Sequence, residues 1–258
     1  MNLYNSVWTK MEYIQKVFLG VQDYMQQNHE LEELIIFLDR EPSEFRSVAY
    51  ESASMEVAMP ELSSGIPLDN WKRFCLRSEK GHTFHSYIGL GWAFAKTAIS
   101  PKLYSEFLHP SILPMVYDGI GYYYGLFIVR KTVKNQLVPG MIGEDDLHSF
   151  DQGLGRRLWY ICKGEVDELV KLIAPFHLSR HADLWRGVGI ACGYVGGCDK
   201  GSLEELLLSA NVFNKQLCAG IKLAAISRNA SNSVSPGIEL TCSVICGKSL
   251  KDILNEQV

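Results

Sequence analysis

A Gly-apolar-Gly triplet that recurs four times constrains the fold of this chain more than any other feature. Successive triplets begin 30, 34 and 34 residues apart. Internal periods of this length are typical of arrays in which one helical hairpin stacks on the next. The pattern therefore predicts a series of similar helical units, each marked by one glycine pair: Gly89/Gly91, Gly119/Gly121, Gly153/Gly155 and Gly187/Gly189.

The segments around the glycine pairs are apolar on nearly every side, which is typical of buried helices. Shorter amphipathic segments lie between them, such as residues 165–173 and 202–208, and are expected to form an outer layer. An alternative exists for residues 116–133, whose aromatic and β-branched side chains also fit a pair of strands. Helix is favoured because small residues let helix backbones approach closely, which offsets the low helix propensity of glycine.

The two ends of the chain depart from the glycine pattern. Apolar spacing predicts a helix over residues 3–27 and a second one over residues 30–40. Residues 45–59 form a degenerate first unit, with Ser52-Ala53-Ser54 in place of the glycine triplet. Helices over residues 214–228 and 236–247 are expected to close the array, because terminal units of repeat proteins are atypical.

These patterns predict an all-α fold with a single domain over residues 1–258. Its N-terminal helices occupy residues 1–40, and a repeat-like body occupies residues 45–247. The body is expected to contain about six helical hairpins with a repeat of about 34 residues. The hairpins would form an α-solenoid or curved array with the glycine-marked helices on its inner side.

Charge and cysteine usage exclude several classes of function. The 25 basic and 29 acidic residues give a net charge of -4 without a basic stripe, so no nucleic acid is expected as a partner. The seven cysteines are an odd number without a C-x-x-C pair, which predicts reduced thiols rather than disulfides or a zinc site. No stretch is apolar enough for a membrane span and no export signal is recognisable, so a cytoplasmic protein is expected.

Two segments resemble a known family. F-D-Q-G-L-G-R-R-L-W-Y (150–160) and D-L-W-R-G-V-G-I-A-C-G-Y-V-G-G (183–197) are similar to signature segments of the bacterial domain-of-unknown-function family 1702. Asp118-Gly119 fits the same pattern, and the similarity extends over about residues 45–247. Members accompany natural-product gene clusters, including those for enediyne polyketides. The resemblance implies a cytoplasmic bacterial accessory or tailoring protein of secondary metabolism, without any catalytic residues to transfer.

Three aspartates recur shortly before the glycine pairs. Asp118, Asp151 and Asp183 lie one, two and four residues before the first glycine of their units. One interpretation is that they accept hydrogen bonds from free N–H groups at helix ends. The other is that one or two project into a water-poor cavity, where burial raises the carboxyl pKa and leaves a general acid. On the second interpretation the candidate catalytic residues are Asp118 and Asp151, assisted by Arg156.

Aromatic and arginine side chains crowd the same segments. The π faces of aromatic rings can stabilise a developing carbocation, although rings at helical spacing are also ordinary core. The arginines suit a carboxylate, a phosphopantetheine thioester or a diphosphate, or ion pairs with the recurring aspartates. The candidate substrate-binding residues are Trp92, Tyr122, Tyr123, Trp159, Trp185, Tyr194, Arg157 and Arg186.

No metal or cofactor is expected. His82 and His85 share a helix face and would offer two metal ligands, but no carboxylate occurs at a matching spacing. The acidic residues 144–146 suit a solvated loop or a helix start better than a magnesium site. The glycine triplets lack the G-x-G-x-x-G register that phosphate-binding loops require.

Two hypotheses for the function follow. The first is a cyclase or isomerase of natural-product biosynthesis that binds an extended apolar polyene or isoprenoid in an aromatic-lined cavity and acts by acid catalysis. The second is a non-catalytic scaffold or carrier for a synthase partner, a carrier protein or a reactive polyene. A closed cavity with an inward carboxyl would favour the enzyme, and an open groove with exposed polar side chains would favour the scaffold.

Overall fold

The computed structural model describes residues 6–27, 30–78 and 81–256, and within these ranges it is helical without any strand. Residues 116–133, which also fitted strands, form a helix and a short π-helical turn. The α-helices are α1 Val7–Met25, α2 Leu31–Asp39, α3 Ser43–Ser64, α4 Asp69–Arg77, α5 Thr83–Thr97, α6 Leu113–Phe127, α7 Leu147–Ile161, α8 Val166–Ile173, α9 Leu178–Val195, α10 Lys200–Ala210, α11 Asn214–Ala230, α12 Pro236–Cys246 and α13 Leu250–Asn255.

Each glycine triplet lies inside a helix that packs between two neighbours. Residues two apart on an α-helix point about 200° apart, so the two glycines face nearly opposite sides. A Cβ on Gly153 of α7 would overlap the Asp118 carbonyl oxygen of α6, and a Cβ on Gly155 would overlap the Leu184 carbonyl oxygen of α9. In every triplet the first glycine contacts the preceding buried helix and the second contacts the following one. The carbonyl oxygens that face the first glycines belong to Glu51, Ile88, Asp118 and Gln152. Those that face the second glycines belong to Val116, Phe150, Leu184 and Leu217.

Small residues of other kinds continue this arrangement at both ends of the body. In α3, Ser52 Oγ donates to the Phe18 carbonyl oxygen of α1, and Ser54 Oγ donates to the Ser86 carbonyl oxygen of α5. In α11 a single glycine, Gly220, meets the α9 backbone. The buried helices therefore pack in the order α3, α5, α6, α7, α9, α11.

The N-terminal helix α1 lies against α3 and also touches α9. It occupies most of the predicted range 3–27, of which residues 3–5 lie outside the described part of the chain. Met11, Val17 and Val21 are buried along one side of α1. Lys10 forms an ion pair with Glu44 of α3, which fixes the N-terminal half of α1.

Five cysteines carry free thiols, but the expectation that all seven do is wrong. Cys218 of α11 and Cys246 of α12 form a disulfide, with their Cα atoms 5.3 Å apart. No sequence pattern indicates this pair, because only the packing of α11 against α12 brings the two residues together. In the three described ranges, no helix combines the length and the apolar composition that crossing a membrane requires.

Candidate functional site

A cavity of about 850 Å³ lies between α1 and the helices α3, α5, α6 and α7. This volume falls within the range of about 300–1,000 Å³ that is usual for small-molecule sites. The Trp92 ring centroid lies 4.7 Å from that of Phe18 and 5.3 Å from that of Tyr122. Aromatic rings thus form a continuous wall from α1 to α6, and further rings complete it: Tyr123, Phe127, Tyr160 and Tyr194.

The helix α1 covers this cavity. Met11 and Phe18 on its inner side line the interior, whereas Trp8 and Leu19 lie at its edge with 44% and 49% of their surface exposed. The Lys163 ammonium, just beyond α7, lies 4.2 Å from the centroid of the Trp8 ring. The exposed lining residues place the mouth of the cavity between α1 and the C-terminal ends of α5, α6 and α7.

A buried carboxyl group lies at the inner end of the cavity. Glu51 of α3 lines the cavity and is only 5% exposed. Burial raises the pKa of Glu51 from 4.5 to about 7, because the charged form loses its hydration. The Arg156 guanidinium opposes this rise, Asp118 adds to it, and the Trp92 indole opposes it. Glu51 is therefore a carboxyl group that can both donate and accept a proton near neutral pH.

Arg156 is held beside Glu51 by an ion pair with Asp118. Arg156 Nη1 of α7 donates to Asp118 Oδ1 of α6, and Gln152 Nε2 donates to Asp118 Oδ2 at 2.8 Å. The guanidinium carbon lies 5.1 Å from the centroid of the Tyr122 ring. Asp118 itself is 1% exposed, so it positions Arg156 from behind the cavity wall.

His85 of α5 and Tyr194 of α9 complete the inner end, with ring centroids 5.0 Å apart. Burial lowers the pKa of His85 well below 6.5, and Arg156 acts in the same direction. The imidazole is therefore neutral at neutral pH, and its buried Nδ1 has no hydrogen-bond partner among the described residues. A smaller cavity of about 60 Å³ adjoins the main one and shares His85, Arg156, Tyr160 and Tyr194 with it.

A family model described as "Protein of unknown function (DUF1702)" matches residues 4–255. The chain belongs to the DUF1702 family. The resemblance carried by residues 150–160 and 183–197 is thereby confirmed and extended to nearly the whole sequence. No curated protein and no solved structure matches this DUF1702 chain.

The second predicted acid of this DUF1702 protein lies away from the cavity lining. Arg180 of α9 binds both carboxylate oxygens of Asp151, through Nε at 2.8 Å and through Nη2. Burial raises the pKa of Asp151, and Arg180 opposes this rise. The third aspartate, Asp183, binds the exposed His148 at 2.6 Å. The recurring aspartates thus form three ion pairs, of which only the one made by Asp118 adjoins the cavity.

The structure divides the predicted substrate-binding residues into two groups. Five of them line the cavity, and so does Arg156, whereas two tryptophans and one arginine lie elsewhere. Trp159 and Trp185 are 1% and 3% exposed, and they pack in the core. The lining group is Trp92, Tyr122, Tyr123, Tyr194 and Arg157, and the group outside the lining is Trp159, Trp185 and Arg186.

Sequence reasoning missed Glu51 as a site residue. It directly precedes Ser52, just as Asp118 directly precedes Gly119, so the two acids occupy equivalent positions in the first and third units. Superposing the degenerate serine unit on the glycine units would have singled it out.

The two histidines that share a helix face have separate environments. His82 accepts or donates a hydrogen bond with Ser47 Oγ at 2.8 Å and stacks on Tyr50, while His85 faces the cavity. Within residues 6–27, 30–78 and 81–256, no three His, Cys, Asp or Glu side chains are grouped so that they could hold a metal ion.

Proposed function

We propose that this protein is an enzyme of bacterial natural-product biosynthesis that isomerises or cyclises an extended apolar polyene or isoprenoid by acid catalysis. The observation that carries the proposal is Glu51, a buried carboxyl with a pKa of about 7 in an aromatic-lined cavity of about 850 Å³. A pKa near the working pH is what efficient general acid–base catalysis requires. The acid role therefore goes to Glu51 rather than to Asp118 or Asp151.

The cavity groups support a proton-transfer cycle without any co-reactant. Protonated Glu51 gives its proton to one carbon of a double bond, and the π faces of Trp92 and Tyr122 stabilise the resulting carbocation. For isomerisation, the Glu51 carboxylate then removes a proton from the carbon on the other side of the cation. For cyclisation, a second double bond of the substrate attacks the cation before that proton is lost.

Arg156 stabilises the charged intermediate state of Glu51. When the carboxyl has released its proton, the neighbouring guanidinium balances the new negative charge. Asp118 keeps Arg156 in place and compensates its charge while Glu51 is protonated. Asp118 is therefore a positioning residue, and it takes no proton from the substrate.

We also propose that the body helices form a curved array of hairpin repeats in a cytoplasmic protein. The equivalent backbone contacts of the four glycine triplets support the repeat. Free thiols at five cysteines support a reducing compartment, and the disulfide between Cys218 and Cys246 is the observation against it. The covered cavity supports a small-molecule ligand over a scaffold role, since a scaffold for a synthase or a carrier protein needs an open binding surface.

The experiment compares Glu51→Gln with the wild type. Molecules that copurify with the protein are identified by mass spectrometry and incubated with fresh enzyme in D2O. The wild type is expected to release a product that carries deuterium at the protonated carbon. Glu51→Gln should still bind the molecule but turn it over about 10²–10⁴-fold more slowly.

A matched control on the same helix is Glu56→Gln, because Glu56 binds Gln22 of α1 and lies outside the cavity lining. This variant is expected to turn over like the wild type. Full turnover by folded Glu51→Gln would contradict acid catalysis by Glu51. Unchanged ligand after incubation with the wild type would instead favour the carrier hypothesis.

A further inference from the structure

Three cationic side chains line the outer part of the cavity. Lys96 lies in the last turn of α5, Arg157 on α7 and Lys163 just beyond α7. None of them lies within 4.0 Å of a carboxylate oxygen in the described part of the chain. Glu12 at the edge of α1 is the acidic lining residue on this outer side. The outer part of the cavity therefore carries a net positive charge.

Arg157 is the most enclosed of these three cations. Its aliphatic stem packs over Gly125 of α6, where an added Cβ would lie 3.0 Å from Arg157 Cγ. Its guanidinium carbon lies 6.0 Å from the Tyr122 ring centroid. Arg157 Nε is buried and has no hydrogen-bond partner among the described residues. A buried donor without an acceptor is unfavourable, so a bound ligand that supplies an acceptor there would gain affinity.

The inner end of the cavity lacks the unpaired positive charge of the outer part. Arg156 is neutralised by Asp118, and the imidazole of His85 is uncharged. An anion placed there would also lie beside the Glu51 carboxyl and lose its hydration. An anionic ligand group is therefore favoured at Arg157 and disfavoured at the inner end.

We propose that the substrate is amphipathic, with a carboxylate or phosphate group bound by Arg157 and flanked by Lys96 and Lys163, and an apolar chain that extends inward to Glu51. This inference rests on the proposed function, since it names the substrate class of the same cavity. Guanidinium groups bind both anions through paired N–H donors. The anchored end fixes which double bond of the chain reaches Glu51.

The test uses cis-parinaric acid, a C18 tetraene carboxylate whose fluorescence rises in apolar surroundings, and its methyl ester. The wild type should bind the acid at least 10-fold more tightly than the ester. Arg157→Met keeps a stem of similar length but removes the charge, and it should lose at least 10-fold in affinity for the acid and little for the ester. Arg157→Lys should recover part of the affinity, because the positive charge returns without the paired donors.

The matched control is Arg186→Met. Arg186 is also half-buried with an enclosed Nε that lacks a partner, but it lies outside the cavity lining. Its loss should leave the affinity for the acid unchanged, provided that circular dichroism shows every variant folded. Competition with dodecanoate and with dodecyl phosphate then decides which of the two anions binds more tightly.

Equal binding of the acid and the ester by the wild type, or no binding of either, would overturn the proposal, as would an equal loss in Arg157→Met and Arg186→Met. Glu51→Gln separates this result from the proposed function, because it should bind the acid like the wild type while failing in turnover. Charge-selective binding without any turnover by the wild type would support the anion site and reject the reaction. Turnover without charge-selective binding would support the reaction and reject the anion site.

Discussion

The pair of Asp118 with Arg156 and the pair of Asp151 with Arg180 are alike in their local chemistry and differ in their surroundings. Both aspartates are 1% exposed, both precede a glycine triplet, and both bind an arginine of a later body helix. The first pair adjoins a cavity that also contains Glu51, whereas the second lies outside its lining. Two equivalent ion pairs thus have different roles, because only the first has a cavity and the ionisable Glu51 beside it.

The largest expected difference between the two pairs is in stability. Asp151→Asn leaves Arg180 buried without a counter-charge and should lower the free energy of unfolding by about 3–5 kcal/mol. Asp118→Asn should lower it by less, because Glu51 can ionise and compensate Arg156. Urea unfolding at pH 7 measures both losses, with the exposed Asp167→Asn of α8 as the control. Equal losses in the two buried variants would contradict the compensation by Glu51.

The second expected difference is in the pH dependence of stability. The folded-state pKa of Glu51, about 7, lies above its ordinary 4.5, so the folded state binds this proton more tightly than the unfolded state. The stabilisation is complete below pH 4.5 and is lost as the pH rises through about 7, a difference of about 3 kcal/mol. Unfolding free energies of the wild type and Glu51→Gln should therefore diverge over this range.

Asp118→Asn tests whether the pH dependence of stability reports the contact between Glu51 and Arg156. Glu51 becomes the remaining counter-charge of Arg156 in this variant, which lowers the pKa of Glu51 and moves the transition to lower pH. Asp151→Asn should leave the transition where the wild type has it. A shift of the same size in both variants would mean that the two pairs are not distinguished by their contact with Glu51.

The smallest effect is expected at the third aspartate. Asp183 binds His148, whose side chain is 76% exposed, so Asp183→Asn should lower the unfolding free energy by less than about 1 kcal/mol. The hydrogen bond that His148 donates to Asp183 raises the pKa of His148, so this contribution is full below pH 6.5 and is lost as the pH rises through the raised value. Thermal unfolding at pH 5.5 and 8.5 measures it, and a larger loss at pH 8.5 would contradict the assignment.

The sequence determined the helical class and the position of the buried helices. Glycines two residues apart face opposite sides of a helix whatever surrounds it, so the four triplets mark helices with a close neighbour on each side. The same local logic explains why the serine unit in α3 takes part in the series. Trp92, Tyr122 and Arg156 each directly follow the second glycine of a triplet, and all three line the same cavity.

The tertiary structure alone decided which of the buried groups face an open volume. Trp159 and Trp185 lie in segments as aromatic as those of Trp92 and Tyr122, yet they pack in the core, outside the lining of the cavity. The role of Glu51 also depends on tertiary packing, since its raised pKa comes from burial. Burial and enclosed volume are sums over many long-range contacts, and no local pattern of residues specifies them.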